Sequence, residues 1–130
     1  MKKYIILLIS IVFLLTLYGC TPATITVDES NKKEIICLKK GAILEIILGT
    51  NPSTGYEWSI VNIDSTKLKI VSESYIANQV NRDVVGSGGD KIYLLKTISK
   101  GNTAIELIYF RSFEKEIPPK KKFHINLNIR

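Results

Sequence analysis

Lys122-Phe123-His124-Ile125-Asn126-Leu127-Asn128-Ile129-Arg130 alternates apolar and polar residues almost without exception. Successive side chains of a strand point to opposite faces. Phe123, Ile125, Leu127 and Ile129 should therefore line a buried face, with His124, Asn126, Asn128 and Arg130 on the other side. Upstream, short runs rich in β-branched and aromatic residues and bounded by Gly, Pro, Asn, Asp and Ser predict further strands. They fall near Thr24–Val27, Glu34–Leu38, Ile43–Leu48, Glu57–Asn62, Leu68–Ile76, Lys91–Ile98 and Thr103–Tyr109. Tyr93 and Leu95 alternate with Leu94 and Lys96, and Lys100-Gly101-Asn102 makes a tight turn into Ala104-Ile105-Glu106-Leu107. Lys91–Tyr109 is thus expected to be a hairpin. Helical periodicity is nearly absent after Cys20, and nothing repeats internally. The pattern predicts an all-β fold, an antiparallel sandwich or partly closed barrel of immunoglobulin-like type, without the antibody-domain disulfide. Trp58 is expected in its core. Asn78–Asp90, polar and Gly-rich, reads as a long exposed loop.

The N-terminal segment has a different character. Lys2 and Lys3 precede Tyr4 to Tyr18, a stretch that is apolar apart from Ser10 and Thr16. It is short for a spanning helix and runs into Leu17-Tyr18-Gly19-Cys20, which reads as a lipoprotein cleavage box. Residues 1–19 are expected to be an export signal, Cys20 a lipidated new N-terminus, residues 20–24 a tether and residues 25–130 one domain. Tyr18 is bulkier than the small residue usual in such a box, so cleavage without lipid and a retained anchor are the alternatives. Either way the domain is expected to be exported, on the outer face of the cell membrane or secreted.

About 110 residues after the signal suffice for one domain with one core. The formal charge is +6, of which Lys2 and Lys3 supply two, leaving +4 on the mature part. Lys39-Lys40 and Lys120-Lys121-Lys122 stand at strand starts, where basic runs act as solvated edges that discourage aggregation. An exported domain of this kind is not expected to bind nucleic acid. Attraction to anionic lipid or to an acidic partner is compatible with the charge and unspecific.

Little in the chain suggests catalysis. With Cys20 lipidated, Cys37 has no disulfide partner, and within Ile35-Ile36-Cys37-Leu38 it is expected to be a small buried hydrophobe. Nucleophile candidates are Cys37, Ser53 and Thr54, but the only histidine is His124, expected on the solvent side of its strand. A Cys37–His124 dyad would need an exposed thiol, which the flanking isoleucines argue against. No cysteine pair, H-x-x-x-H pattern or carboxylate cluster offers a metal site, and no cofactor is expected. The Gly-rich segment also lacks the Lys-Ser/Thr and following helix of a phosphate loop.

Three loops carry the functional information. Asn51-Pro52-Ser53-Thr54-Gly55-Tyr56 leads into Glu57-Trp58; Pro52 fixes φ and Gly55 permits positive φ, so the turn is stiff and its tip small and uncharged. Gly86-Ser87-Gly88-Gly89 exposes backbone groups just before a strand, and Arg111-Ser112-Phe113 offers a cation and a ring directly after one. In an immunoglobulin-like sandwich, loops so placed can gather at one end.

In order and type these segments resemble the chagasin family of cysteine-peptidase inhibitors, marked by N-P-[ST]-T-G-[FY], G-x-G-G and R-P-[WF] loops. The first two match in full; in the third, Ser112 stands where proline is usual. The resemblance covers essentially the whole mature domain. It implies a sandwich that inhibits papain-like cysteine peptidases tightly and reversibly; a monomer is expected. By the same resemblance Thr54, with Ser53 and Gly55, would lie against the catalytic cysteine and histidine. Gly86, Ser87, Gly88 and Gly89 would follow the non-primed side, and Arg111 and Phe113 the primed side. Ser112 is expected to loosen the third loop and weaken binding there. The rival reading is a non-inhibitory immunoglobulin-like adhesion lipoprotein, which leaves the ordered trio of loops unexplained.

Overall fold

Every predicted run becomes a strand, and the strands stack as two sheets. The computed structural model describes residues 21–31, 35–78, 88–114 and 116–130. The strands are β1 (Thr24–Asp28), β2 (Ile35–Leu38), β3 (Ile43–Thr50), β4 (Glu57–Ile63), β5 (Leu68–Ala77), β6 (Gly89–Thr97), β7 (Gly101–Phe110) and β8 (Lys121–Ile129), with a 3-10 turn at Pro52–Thr54. One sheet has the order β1-β3-β6-β5 and the other β2-β8-β7-β4, so the architecture is a sandwich and not a barrel. Four of the pairings are antiparallel. The exceptions are β1 on β3 and β2 on β8, parallel strands at one edge of each sheet.

Alternation builds the core. Leu44, Ile46 and Leu48 of β3 and Tyr93 and Leu95 of β6 face Ile105, Leu107 and Tyr109 of β7 and Phe123, Ile125, Leu127 and Ile129 of β8, all buried. Trp58 is buried as expected. Its indole N–H donates to the Gly49 carbonyl at 2.9 Å, and the Tyr93 hydroxyl donates to the Trp58 carbonyl at 2.7 Å. Both bonds cross from one sheet to the other, so they fix the sheets' relative placement beside the loops that follow. Burial, and then the charges of Glu73 and Glu57, push the Tyr93 hydroxyl pKa well up, which keeps it a donor. Thr97, the one buried polar residue among those described, donates to the Lys39 carbonyl at 2.7 Å.

Three expectations need correction. Lys91–Tyr109 is not a hairpin: β6 lies between β3 and β5, and β7 between β8 and β4 in the opposite sheet. A short connection joins strands across the sandwich as readily as within a sheet, and either arrangement buries the same alternating face. Cys37 is exposed, not buried. Ile36 and Leu38 take the inward positions of β2 and turn Cys37 outward, where Arg130 Nη2 lies 3.9 Å from its sulfur. Lys120–Lys122 does not protect an edge, because β8 is an interior strand. His124 is exposed on the outer face, as its register predicts. Of Asn78–Asp90, Gly89 and Asp90 already belong to β6, and positions 79–87 lie outside the described residues, as do 1–20 with the export signal and Cys20.

Candidate functional site

The first loop is a closed circuit of hydrogen bonds. Asn51, in extended conformation, caps the 3-10 turn: its side-chain oxygen accepts from the Ser53 backbone N–H at 3.2 Å and from the Ser53 hydroxyl at 2.6 Å. Pro follows the cap, where its missing N–H costs nothing. The Asn51 carbonyl accepts from the Thr54 N–H at 3.1 Å and from the Thr54 hydroxyl at 2.6 Å. Gly55, at φ 76°, ends the turn in the left-handed region and returns its N–H to the Pro52 carbonyl at 3.0 Å. Ser53 and Thr54 are exposed, yet both hydroxyl protons point back into the loop. The tip thus presents oxygen lone pairs, the Thr54 methyl and backbone.

The third loop is strapped to the first. Arg111 Nε donates to the Thr54 carbonyl at 3.0 Å, while Nη1 pairs with Glu114 at 2.8 Å. The Glu114 hydrogen bond pushes the Arg111 pKa further up, so the guanidinium is a fixed charge. It lies 4.4 Å from the Tyr56 ring centroid and 5.8 Å from that of Phe113. Phe113 leans over Gly55: a Cβ there would sit 3.0 Å from Cε1 of its ring. Behind these, Tyr56 stacks on Tyr109 at 5.2 Å and Tyr109 meets Trp58 in a tilted pair at 5.0 Å, carrying the site into the core. The Asn51 N–H donates to the Tyr109 hydroxyl at 3.1 Å, so the same tyrosine also anchors the cap. Ser112 is exposed in a turn closed by the Glu114 N–H on the Arg111 carbonyl at 3.0 Å. The Arg111–Glu114 ion pair spans the same turn.

Of the second loop, Gly88 and Gly89 are described; Gly86 and Ser87 lie outside the described residues. Gly88 has φ 73°, and a Cβ on it would come within 3.0 Å of the Thr50 carbonyl and 3.7 Å of Asn51 Cβ. A Cβ on Gly89 would collide with the Ile76 carbonyl and reach 2.7 Å from the Tyr75 ring. Both glycines are therefore required by close packing against β5 and the base of the first loop. The described parts of all three loops meet at one end of the sandwich.

Sequence reasoning named the loop residues but not what holds them. Glu114 follows Arg111 at the i,i+3 spacing of an ion pair, and Asn51 precedes proline as an N-cap commonly does; both signals were legible. Tyr109, 58 positions from Asn51, carried none. The Cys37–His124 alternative fails on distance. Cys37 pairs with Asn128 in the ladder, and His124 lies two same-face positions further, about 13 Å away at roughly 3.3 Å per residue.

The sandwich and its loop end define a class: the chain belongs to the chagasin family, its residues 37–127 matching the family model for the chagasin family peptidase inhibitor I42. The family is one of inhibitors, and the protein is not an enzyme. Among known proteins it is similar to amoebiasin-1 of Entamoeba histolytica, with 32% identity over 105 residues, 81% of this chain and 99% of that one. The crystal structure of the cysteine protease inhibitor EhICP2 from Entamoeba histolytica matches with a TM-score of 0.77 at 27% identity, covering 86% of this chain and 100% of that one. PbICP-C, solved in complex with falcipain-2, shares the fold at 17% identity with a TM-score of 0.58, covering 88% of this chain and 96% of that one.

Proposed function

We infer that the protein is a reversible, tight-binding inhibitor of papain-like cysteine peptidases, with Asn51–Tyr56 as the element that enters the active-site cleft. The observation that carries the mechanism is the internal use of the first loop's carbonyls. Those of Asn51, Pro52 and Thr54 each accept a hydrogen bond from within the protein, from Thr54, Gly55 and Arg111 respectively. Hydrolysis needs a scissile carbonyl aligned with the thiolate and turned into an oxyanion hole. A carbonyl held by its own loop in a turn conformation does not reach that geometry without dismantling the turn. The loop fills the cleft and is cut slowly.

Tight binding follows from preorganisation. Proline, the Asn51 cap, the left-handed Gly55 and the Arg111 strap leave little conformational entropy to lose on association. In this reading Ser53, Thr54 and Gly55 contact the catalytic cysteine and histidine. Gly86, Ser87, Gly88 and Gly89 lie along one flank, and Arg111 and Phe113 pack on the other. The inhibitor class of EhICP2 and the peptidase complex of PbICP-C support the assignment.

Thr54→Arg or Gly55→Glu tests it. Each should abolish inhibition of papain while the protein stays folded by circular dichroism; a variant that inhibits as well as the parent would remove the first loop from the mechanism. We propose in addition that Cys20 is lipidated and holds the inhibitor at the outer face of the membrane. Mass spectrometry of the membrane fraction should find a diacylglyceryl-modified N-terminal Cys20, and an unmodified Thr21 terminus in the medium would refute it.

A further inference from the structure

The connection between β7 and β8 extends well past Arg111-Ser112-Phe113, and its second half belongs neither to the motif nor to the core. Ile117 there is 60% exposed, comparable to Phe113 at 69%. Most other exposed large apolar residues lie along strands, as Ile35, Val61, Ile70, Val71, Tyr75 and Ile76 do. Ile117 lies in a connection at the loop end. Its position is nonetheless fixed from both sides. Two turns lead into it, the Glu114 N–H on the Arg111 carbonyl at 3.0 Å and the Ile117 N–H on the Glu114 carbonyl at 3.4 Å. Pro118 and Pro119 follow, restricting their own φ and the backbone of the residue before each. Lys120 then returns to the site: its N–H donates to the Tyr109 carbonyl at 2.8 Å, and its ammonium lies 4.8 Å from the Tyr56 ring centroid.

The ladder gives the location. Glu57 pairs with Phe110 and Tyr109 with Lys121, so the connection leaves and re-enters the sheet at the end that carries the first loop. An exposed apolar side chain, with its own N–H bonded back to Glu114 and two prolines after it, has the properties of a binding anchor: apolar area and little ordering cost. We propose that Ile117 is a fourth contact point of the inhibitory end, an inference that rests on the inhibitor function above. It seats in an apolar depression on the flank of the peptidase cleft that the third loop covers. Selectivity among papain-like peptidases then depends in part on whether that flank is apolar or charged.

The test compares the parent with Ile117→Ser, Ile117→Leu and, as a control, Val61→Ser, whose side chain is 51% exposed at the bulge of β4. Inhibition constants, association and dissociation rates are measured against papain and two further papain-like peptidases, together with melting temperatures. Ile117→Ser should weaken inhibition of at least one peptidase about tenfold, mainly through faster dissociation. Its melting temperature should stay at that of the parent, Ile117→Leu should recover most of the loss, and Val61→Ser should behave as the parent. If the parent inhibits and Ile117→Ser inhibits equally well against all three, Ile117 is idle and the proposal fails alone. If the parent inhibits none of them, the inhibitor function itself fails and the proposal falls with it.

Discussion

Gly55→Ala should cost the inhibitor more in binding than in stability, and the two losses should separate. Gly55 sits at φ 76°, where an L-residue is disfavoured by about 1–2 kcal/mol. Alanine also restricts the unfolded chain, which offsets about 0.4–1 kcal/mol. The added Cβ would lie 3.0 and 3.2 Å from Cε1 and Cζ of Phe113. That ring is 69% exposed and can swing away, so the clash adds little to the folding cost. Net destabilisation is then about 1 kcal/mol, a fall in Tm of about 4–8 °C for a domain of this size. Binding should lose more, because the displaced ring would leave the position from which, in the proposed mode, it contacts the peptidase. An aromatic anchor removed from an interface costs about 2 kcal/mol, or about thirtyfold in Ki. A double-mutant cycle with Phe113→Ala, read by Ki against papain and by thermal melting, isolates the route. If Gly55→Ala acts through the ring, its effect on Ki should largely vanish in the Phe113→Ala background. Fully additive losses, or an unchanged Ki alongside the lower Tm, would refute the coupling.

Arg111→Lys keeps the charge but not the planar fork that reaches Thr54 and Glu114 together; Ki should rise several-fold with Tm unchanged, and an unaltered Ki would show the strap to be dispensable. Tyr93→Phe removes the hydrogen bond to the Trp58 carbonyl inside the core. Urea denaturation should register a loss of about 1–3 kcal/mol, with inhibition at native conditions retained. The Asp64 carboxyl is held down at about 2, first by the hydrogen bond from Lys67 and then by those from Thr66. Its contribution is therefore present above the unfolded carboxylate range near pH 4 and disappears as pH falls through about 2. Asp64→Asn should be slightly less stable than the parent at pH 5 and indistinguishable from it near pH 2 in chemical denaturation. The exposed Cys37 thiol should react stoichiometrically with a disulfide reagent in the folded domain, whereas a buried thiol would need denaturant first.

Strand identity was legible because alternation is local: Phe123, Ile125, Leu127 and Ile129 announce an inward face whatever they face. Sheet membership was not, since β6 and β7 show the same alternation whether they pair or oppose each other. Cys37 was misplaced for a related reason. Ile35-Ile36-Cys37-Leu38 is apolar throughout, so only its ladder partner β8 decides which two residues turn inward. At the site, Asn51–Tyr56 and Arg111-Ser112-Phe113 stood out through turn chemistry and residue type. The bonds joining them, Arg111 to Thr54 and Tyr109 to Asn51, span 57 and 58 positions and leave no local trace.

The most direct measurement is a titration of papain, at fixed fluorogenic substrate, with the purified domain of residues 21–130, followed by mass analysis of the recovered protein. A loop whose Asn51, Pro52 and Thr54 carbonyls are held internally predicts stoichiometric, reversible loss of activity and an inhibitor returned uncut between Asn51 and Tyr56. Rapid cleavage within that segment, or no inhibition of papain or related peptidases at micromolar protein, would contradict the account.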